Sequence, residues 1–238
     1  MKDMSFKSFK PLSEKTHIIV LDFEANCSAD QVRDHEIIEF PAVLVNIITG
    51  ETVSEFRTFV KMKHHEKLSD FIKSLTHITD EDLSGGKTWT ESLIAFEAWC
   101  VTNCVTPENT TVVCCGDWDL KTMLPRQMKL HKTRFTPFVN ELFSVWNNVK
   151  TTYMHAMRKR KRVGMAAMLE ELNIPLTGHH HSGIDDCRNI AKICLYLCKG
   201  GVDVTEANNL RSEALWYETF NDLIYKKTLL GHIEKRKK

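Results

Sequence analysis

His17-Ile18-Ile19-Val20-Leu21-Asp22-Phe23-Glu24-Ala25-Asn26-Cys27 is the stretch from which the rest of this chain is read. Its four apolar residues, Ile18 to Leu21, form a run without polar alternation, the signature of a strand covered on both faces. Two acids follow at once. Because side chains alternate along extended chain, Asp22 and Glu24 point the same way from the end of that strand, and such a pair can share a cation.

Two further segments supply matching chemistry. A second β-rich run, Thr111 to Cys115, leads into Gly116-Asp117-Trp118-Asp119 and then an apolar helix. Later, His181-Ser182-Gly183-Ile184-Asp185-Asp186 opens another apolar helix, with His181 five residues before Asp186. Taken singly, each piece is ordinary, since a strand-end acid pair is more often a turn or a solvated edge. Their order carries the information: a strand-borne Asp-x-Glu, a lone Asp before a helix, then His-x4-Asp on a late helix. Four carboxylates suit hard cations such as Mg²⁺ or Mn²⁺, which take oxygen ligands and keep water positions.

Periodicity places these motifs. Strands are expected from His17, over Ile37 to Ile48, over Thr52 to Val60 after a turn at Thr49-Gly50, and over Thr111 to Cys115. Phe143 to Trp146 reads as a fifth strand, with a helix over Leu142 to Val149 as the alternative. Short helices are expected at Leu68 to Leu75 and Asp80 to Leu83, and longer ones over Glu91 to Cys104, Gly164 to Leu172 and Ile184 to Leu197, the last ended by Gly200-Gly201. The helix after Asp119 runs through Met128 and is kinked or divided by Pro125. Helices interleaved with strands make the chain α/β, with a mixed central sheet flanked by helices.

The motifs DFEAxC, HEIIEFPAVLVN, LSDF, Trp-Asp and HxGIDDxxNIA resemble one branch of the DEDDh 3′-to-5′ exonucleases, the histone-mRNA 3′-exonuclease or enhanced-RNAi exoribonuclease type. The resemblance spans roughly residues 16 to 205. It implies an RNase H-like fold, two divalent ions held by Asp22, Glu24, Asp119 and Asp186, and His181 as general base. It selects Asp119 over Asp117 by the Trp-Asp motif, and Asp186 over Asp185 by the His-x4-Asp spacing; neighbouring residues on a helix lie ~100° apart, so one of that pair faces the site. Phe71 and Trp118 correspond to aromatics that flank a terminal base. Backbone amides at Ala25 and Asn26 lie where the terminal sugar hydroxyls would be held, although Asn26 stands where the family usually has Thr. The implied activity is metal-dependent trimming of single-stranded RNA 3′ ends with release of nucleoside 5′-monophosphates. A sugar-nonspecific nuclease acting on DNA as well, and a noncatalytic RNA-binding scaffold, are the alternatives.

Composition bounds the reading. With 238 residues and 42% hydrophobic content, one domain with a sizeable core is expected, and the longest apolar runs fall far short of a membrane span. An intracellular protein, in cytoplasm, nucleus or both, with reduced cysteines follows as the expectation. The formal charge of +1 conceals two basic patches on an acidic body. One is the unbroken run Arg158-Lys159-Arg160-Lys161-Arg162, placed to track a substrate strand or to serve as a solvated loop or import signal; the other is the C-terminal tail. Residues 1–15 read as a short basic arm. Residues 206–238 read as an amphipathic helix, through Leu210, Ala214, Tyr217, Phe220 and Ile224, and a basic tail. Two zinc readings are set aside: His179-His180-His181, because adjacent histidines in extended chain diverge, and the pairs Cys100/Cys104 and Cys194/Cys198, because such positions are usually core.

Overall fold

In the computed structural model, which describes residues 14–27 and 35–211, β1 (His17–Leu21) is an interior strand. It pairs antiparallel with β3 (Glu36–Asn46) and parallel with β5 (Thr110–Cys114). β2 (Glu24–Asn26) continues along the same edge of β3, while β4 (Glu51–Phe59) covers the opposite edge. Beyond β5 come β6 (Val145–Asn148), parallel, and β7 (Asn209–Leu210), antiparallel. Among the described residues this is one mixed sheet of seven strands.

The unbroken apolar character of β1 has its reason here, because helices cover both faces. Ile19 and Leu21 share a cluster with Trp89, Phe96, Met128 and Val139, contributed by α3 (Trp89–Thr102), α4 (Leu124–His131) and α5 (Pro137–Leu142). Ile18 and Val20 point the other way, toward Tyr153, Met168, Ile190 and Cys194, from α6 (Val149–Ala156), α7 (Met165–Glu171) and α8 (Gly183–Lys199). Burying such a side chain contributes ~1.5 to 3 kcal/mol, so alternation fixes the register of β1 against both layers. A smaller cluster of Ile38, Leu68, Ile72, Ile78 and Leu83 seats α1 (Asp70–Thr76) and α2 (Asp80–Ser84).

Local chemistry explains where elements begin. Thr88 caps α3 in a capping box with Glu91, so that helix starts two residues earlier than periodicity alone suggests. Pro125 lies in the first turn of α4 and divides the helical stretch: the residues before it, Trp118–Met123, form a π-helical turn, because proline brings no N–H to continue an ordinary ladder. The fifth expected strand is real but shifted, lying between α5 and α6.

Two expectations are corrected. Asp22 and Glu24 do not extend one strand, for β1 ends at Leu21 and Glu24 opens β2, with a register shift between Glu24 and Ala25. Leu210 does not begin a helix; its backbone pairs with Val145 in β7, a tertiary pairing that helical spacing cannot anticipate. The remainder of the expected C-terminal helix and tail, and all but the last residues of the expected arm, lie outside the described residues. All eight cysteines are free thiols. Cys100 belongs to one face of the sheet and Cys194 and Cys198 to the other, so the two pairs do not converge.

The N-terminus of α8 approaches the end of β1 unusually closely. A Cβ on Gly183 would lie 2.8 Å from the Asp22 carbonyl oxygen, 2.8 Å from Pro41 Cγ and 3.2 Å from Glu39 Oε2. Gly183→Ala therefore forces backbone apart. It is expected to cost ~1 to 3 kcal/mol, as overpacking typically does, and to lower Tm by several degrees; an unchanged denaturation midpoint would contradict this close approach.

Candidate active site

β1 and β5 run parallel with Leu21 opposite Cys114, so the segments leaving their carboxyl ends emerge side by side. One carries Asp22 and Glu24, the other Asp119. Outside the carboxyl ends of neighbouring strands is where open α/β sheets place ligands. α8 contributes Asp186 from its first turn.

Carboxylate oxygens of Asp22, Glu24 and Asp186 lie within 4.8 Å of one another. Asp119 stands beside this group, its Oδ1 accepting the Phe23 N–H at 2.9 Å, which fixes it against the loop between the first two acids. His181 has a left-handed backbone, φ 72°, and its N–H donates to Asp186 Oδ2 at 2.9 Å. The other oxygen, Oδ1, is buried without a hydrogen-bond partner among the described residues. A buried acceptor left open next to two further carboxylates is suited to a cation.

Electrostatics agree with that. Burial, then repulsion from Asp119, Glu24 and Asp186, pushes Asp22 well above the usual carboxylate range. Burial and Glu39 push Glu24 up to about 9. Burial lifts Asp186 to about 7, partly opposed by the His181 N–H, and raises Asp119 as well. Partial burial, with His180 and His179 nearby, lowers His181 and favours its neutral form. Carboxyls that hold protons because burial penalises their charge and neighbouring acids repel it are a donor set that a hard divalent cation would discharge.

The neighbouring acids have other employment. Asp117 accepts from Asn148 Nδ2 (2.8 Å), Asn209 Nδ2 (3.1 Å) and Arg162 Nη1 (2.9 Å), which ties the loop after β5 to β6, β7 and the basic run. Asp185 accepts the His179 N–H and pairs with Arg188.

Sequence reasoning missed three contributors. Glu39 is fully buried, pairs with Arg57 at 2.7 Å and accepts the Gly183 N–H at 3.2 Å, anchoring α8. Glu36, also fully buried, would be raised by desolvation, yet hydrogen bonds from His131 and the N–H groups of Lys63 and His64 hold it below the ordinary value. It thereby fixes the loop leading to α1. Lys150, at the start of α6, sends its Nζ to 3.6 Å from where a Gly116 Cβ would be, and its charge opposes the upward shift of Asp22 and Asp119. Nothing in WNNVK signals that reach; the carboxylate after Asp34-His35 is the nearest hint for Glu36.

The remaining expected residues are placed as follows. Trp118 precedes Asp119 and is 36% exposed; Phe71, on α1, is 63% exposed. Ala25 and Asn26 are buried in β2. The Asn26 side chain accepts the Ser69 N–H at 3.1 Å and so holds the N-cap of the helix that carries Phe71. In the basic run, Lys159 pairs with Glu171 at 2.7 Å and Arg162 with Asp117, whereas Arg158, Arg160 and Lys161 are exposed and form no ion pair among the described residues. The histidine tract is not extended; it turns at His179 to Ser182. No helix of the described residues is long and apolar enough to cross a membrane.

Comparison with known proteins places this geometry. The family model described as exonuclease (RNase_T) matches residues 19–194. The chain is 36% identical over 187 residues to human "ERI1 exoribonuclease 3", covering 78% of this chain and 54% of that protein. It is 31% identical over 192 residues to human "3′-5′ exoribonuclease 1", covering 79% and 54%. It thus spans about half the length of the curated relatives it matches. Among solved structures, the nuclease domain of 3′hExo, described as a DEDDh family member bound to rAMP, superimposes with TM-score 0.76 at 30% identity over 82% of this chain and 98% of that one. A 3′-exonuclease recognising the 3′ end of a histone mRNA stem-loop gives TM-score 0.79 at 27% identity, over 89% and 73%. These neighbours establish the RNase H-like DEDDh nuclease fold.

The raised carboxyls set a direction for stability against pH. A group whose pKa is higher folded than unfolded stabilises the fold when protonated, and that contribution is lost as pH rises through the folded value. The window runs from the ordinary carboxylate range near ~4 to about 7 for Asp186 and about 9 for Glu24. Tm of the metal-free protein is expected to fall across it, and Mg²⁺ or Mn²⁺ to raise Tm more at pH 8 than at pH 5.5, which thermal denaturation in both buffers measures. A Tm that is flat with pH and indifferent to the cation would refute the shared site.

Proposed function

Because this chain belongs to the exonuclease (RNase_T) family, we propose that it is a metal-dependent 3′-to-5′ exoribonuclease that shortens single-stranded RNA 3′ ends and releases nucleoside 5′-monophosphates. The observation that carries the reading is the convergence of Asp22, Glu24 and Asp186, with Asp119 alongside and the His181 backbone N–H donating to Asp186. The four carboxylates would hold two Mg²⁺ or Mn²⁺ ions. When bound, such ions offset the negative charge at a scissile phosphate and activate water.

This chain's own groups do the rest. His181, favoured as the neutral imidazole, accepts the proton of the attacking water as the P–O3′ bond breaks. Trp118 and Phe71 present exposed aromatic surface to the terminal base; stacking contributes ~1 to 3 kcal/mol per base without sequence preference, as successive trimming requires. The backbone of Ala25 and Asn26 offers amides for the terminal sugar. Arg158 and Arg160, with Lys159 in part, bind phosphates upstream of the cut. The rAMP in the related nuclease domain is a ribonucleotide of the product class proposed.

A second reading, action on DNA as well as RNA, is favoured by Asn26. Its Oδ1 is already taken by the Ser69 N–H, so that side-chain acceptor is committed to α1 rather than to a sugar hydroxyl. Recognition of the 2′-OH is the usual means of telling RNA from DNA.

With Mg²⁺ or Mn²⁺, the purified protein is expected to shorten 3′-unpaired RNA faster than a matched DNA strand, and equal rates would select the second reading. Asp22→Ala and Asp186→Ala should abolish the activity. His181→Ala should lower kcat by roughly 10² to 10⁴-fold while retaining metal and RNA binding. Full activity in these variants would overturn the assignment, and binding of RNA without turnover under any divalent ion would leave a noncatalytic scaffold.

The basic run has its own signature. Neutralising Arg158, Lys159 and Arg160 together should weaken RNA binding for all sequences alike. The slope of log K against log salt should flatten by ~0.7 for each single-strand phosphate that the protein no longer neutralises. Filter binding across a salt series checks this. An unchanged slope would return the run to a solvated loop or an import signal.

A further inference from the structure

Two sets of potential metal ligands meet at Asp186. One is the all-carboxylate group with Asp22 and Glu24; in the other, nitrogens of His180 and His181 and an oxygen of Asp186 lie within 4.8 Å of one another. The turn at residues 179–182 creates the second set: Ser182 N–H donates to the His179 carbonyl at 3.0 Å, and His181 adopts φ 72°. Adjacent imidazoles that would diverge in extended chain are thereby stacked, with ring centroids 4.0 Å apart and planes 16° from parallel. His179 leaves the group, packing on His77 at 3.9 Å and donating its N–H to Asp185.

The ligand types differ in a way that matters. Carboxylate oxygens alone suit Mg²⁺ and Mn²⁺, whereas two imidazoles with one carboxylate make the three-ligand set of open zinc sites, with a fourth position left to water. Asp186, common to both sets, is only 3% exposed with Oδ1 unpaired among the described residues, so the junction of the two sets holds a buried oxygen that still lacks a partner. His180 is exposed, which gives an ion a route from solvent. Parallel rings aim their nitrogens side by side rather than at one point, so closure requires the His180 ring to swing, and its exposure permits that.

We propose that His180, His181 and Asp186 form a distinct Zn²⁺ site whose occupancy is incompatible with nuclease action. Zinc there would take up the lone pair with which His181 accepts a proton and one oxygen that Asp186 gives to the carboxylate group. The inhibitory consequence rests on the reading of His181 and Asp186 given above; the binding of zinc does not. His180 belongs to the second site alone and is therefore the residue that separates the two.

Zinc titrated calorimetrically into the metal-free protein is expected to bind wild type more tightly than His180→Ala by ~10-fold or more, since even indirect ligand supports are worth about 10 to 100-fold. Co²⁺ used as a spectroscopic substitute should give visible absorption in wild type that diminishes in the variant. In saturating Mg²⁺ at about pH 8, above the ordinary imidazole range so that His181 is neutral with or without its neighbour, His180→Ala should retain RNA shortening and require ~10-fold more Zn²⁺ for half-inhibition, in proportion to the weaker binding. Equal zinc affinity in the two proteins would place zinc among the carboxylates alone and overturn the site, and equal inhibition at unequal affinity would overturn its inhibitory role. Absence of Mg²⁺-supported activity in both proteins would count against the nuclease reading, while a loss of zinc affinity in His180→Ala would still support the site.

Discussion

Burial of several carboxyl groups side by side, which penalises their charge and lets them repel one another, is the constraint around which this structure is arranged. Asp22, Glu24 and Asp186 are brought within 4.8 Å of one another, and Asp119 stands beside them. At about 4 Å and an effective dielectric constant of about 20, two like charges oppose each other by about 4 kcal/mol. Burial first, and neighbouring acids such as Glu39 second, make these groups keep protons, lifting Glu24 to about 9 and Asp186 to about 7. Such a site is poised to exchange protons for metal, and its stability and its chemistry are coupled through the same oxygens.

Holding the acids together requires rigid elements on three sides. β1 and β5, parallel and buried between two helical layers, fix the starting points of two segments. α8 is drawn in by the absence of a side chain at Gly183 and by the Gly183 N–H on Glu39. The Phe23 and His181 N–H groups then orient Asp119 and Asp186, and Lys150 contributes a positive charge that partly opposes the upward shift of Asp22 and Asp119.

Around this centre the polar networks serve to place surfaces. Asn26 and Glu36 hold the segment before α1, and so Phe71, to the sheet. Asp117 gathers Asn148, Asn209 and Arg162, connecting the loop that carries Trp118 to the end of the basic run. Part of that run is thus spent within the molecule, which leaves Arg158, Arg160 and Lys161 as its outward charges.

The sequence by itself determined the α/β class and the interior strand, and its resemblance to a known family singled out the acids that the fold then brings near one another. These are local signals: a continuous apolar run, period-2 and period-3.6 spacing, and a carboxylate where a strand must end. Helical geometry allowed only one of Asp185 and Asp186 to face the site, the His-x4-Asp spacing of the resembled family selected Asp186, and in the structure Asp185 pairs with Arg188. Tertiary structure decided what depends on residues distant in the chain. It moved Leu210 from an expected helix into a strand pairing with Val145, since backbone partners at long range outweigh a helical pattern. It recruited Lys150, Glu39 and Glu36, whose roles come from what packs against them, 18 residues away for Glu39 and Arg57. It also turned the histidine tract, because a left-handed residue at position 181, held by Asp186, sets the directions of two rings that sequence adjacency leaves open.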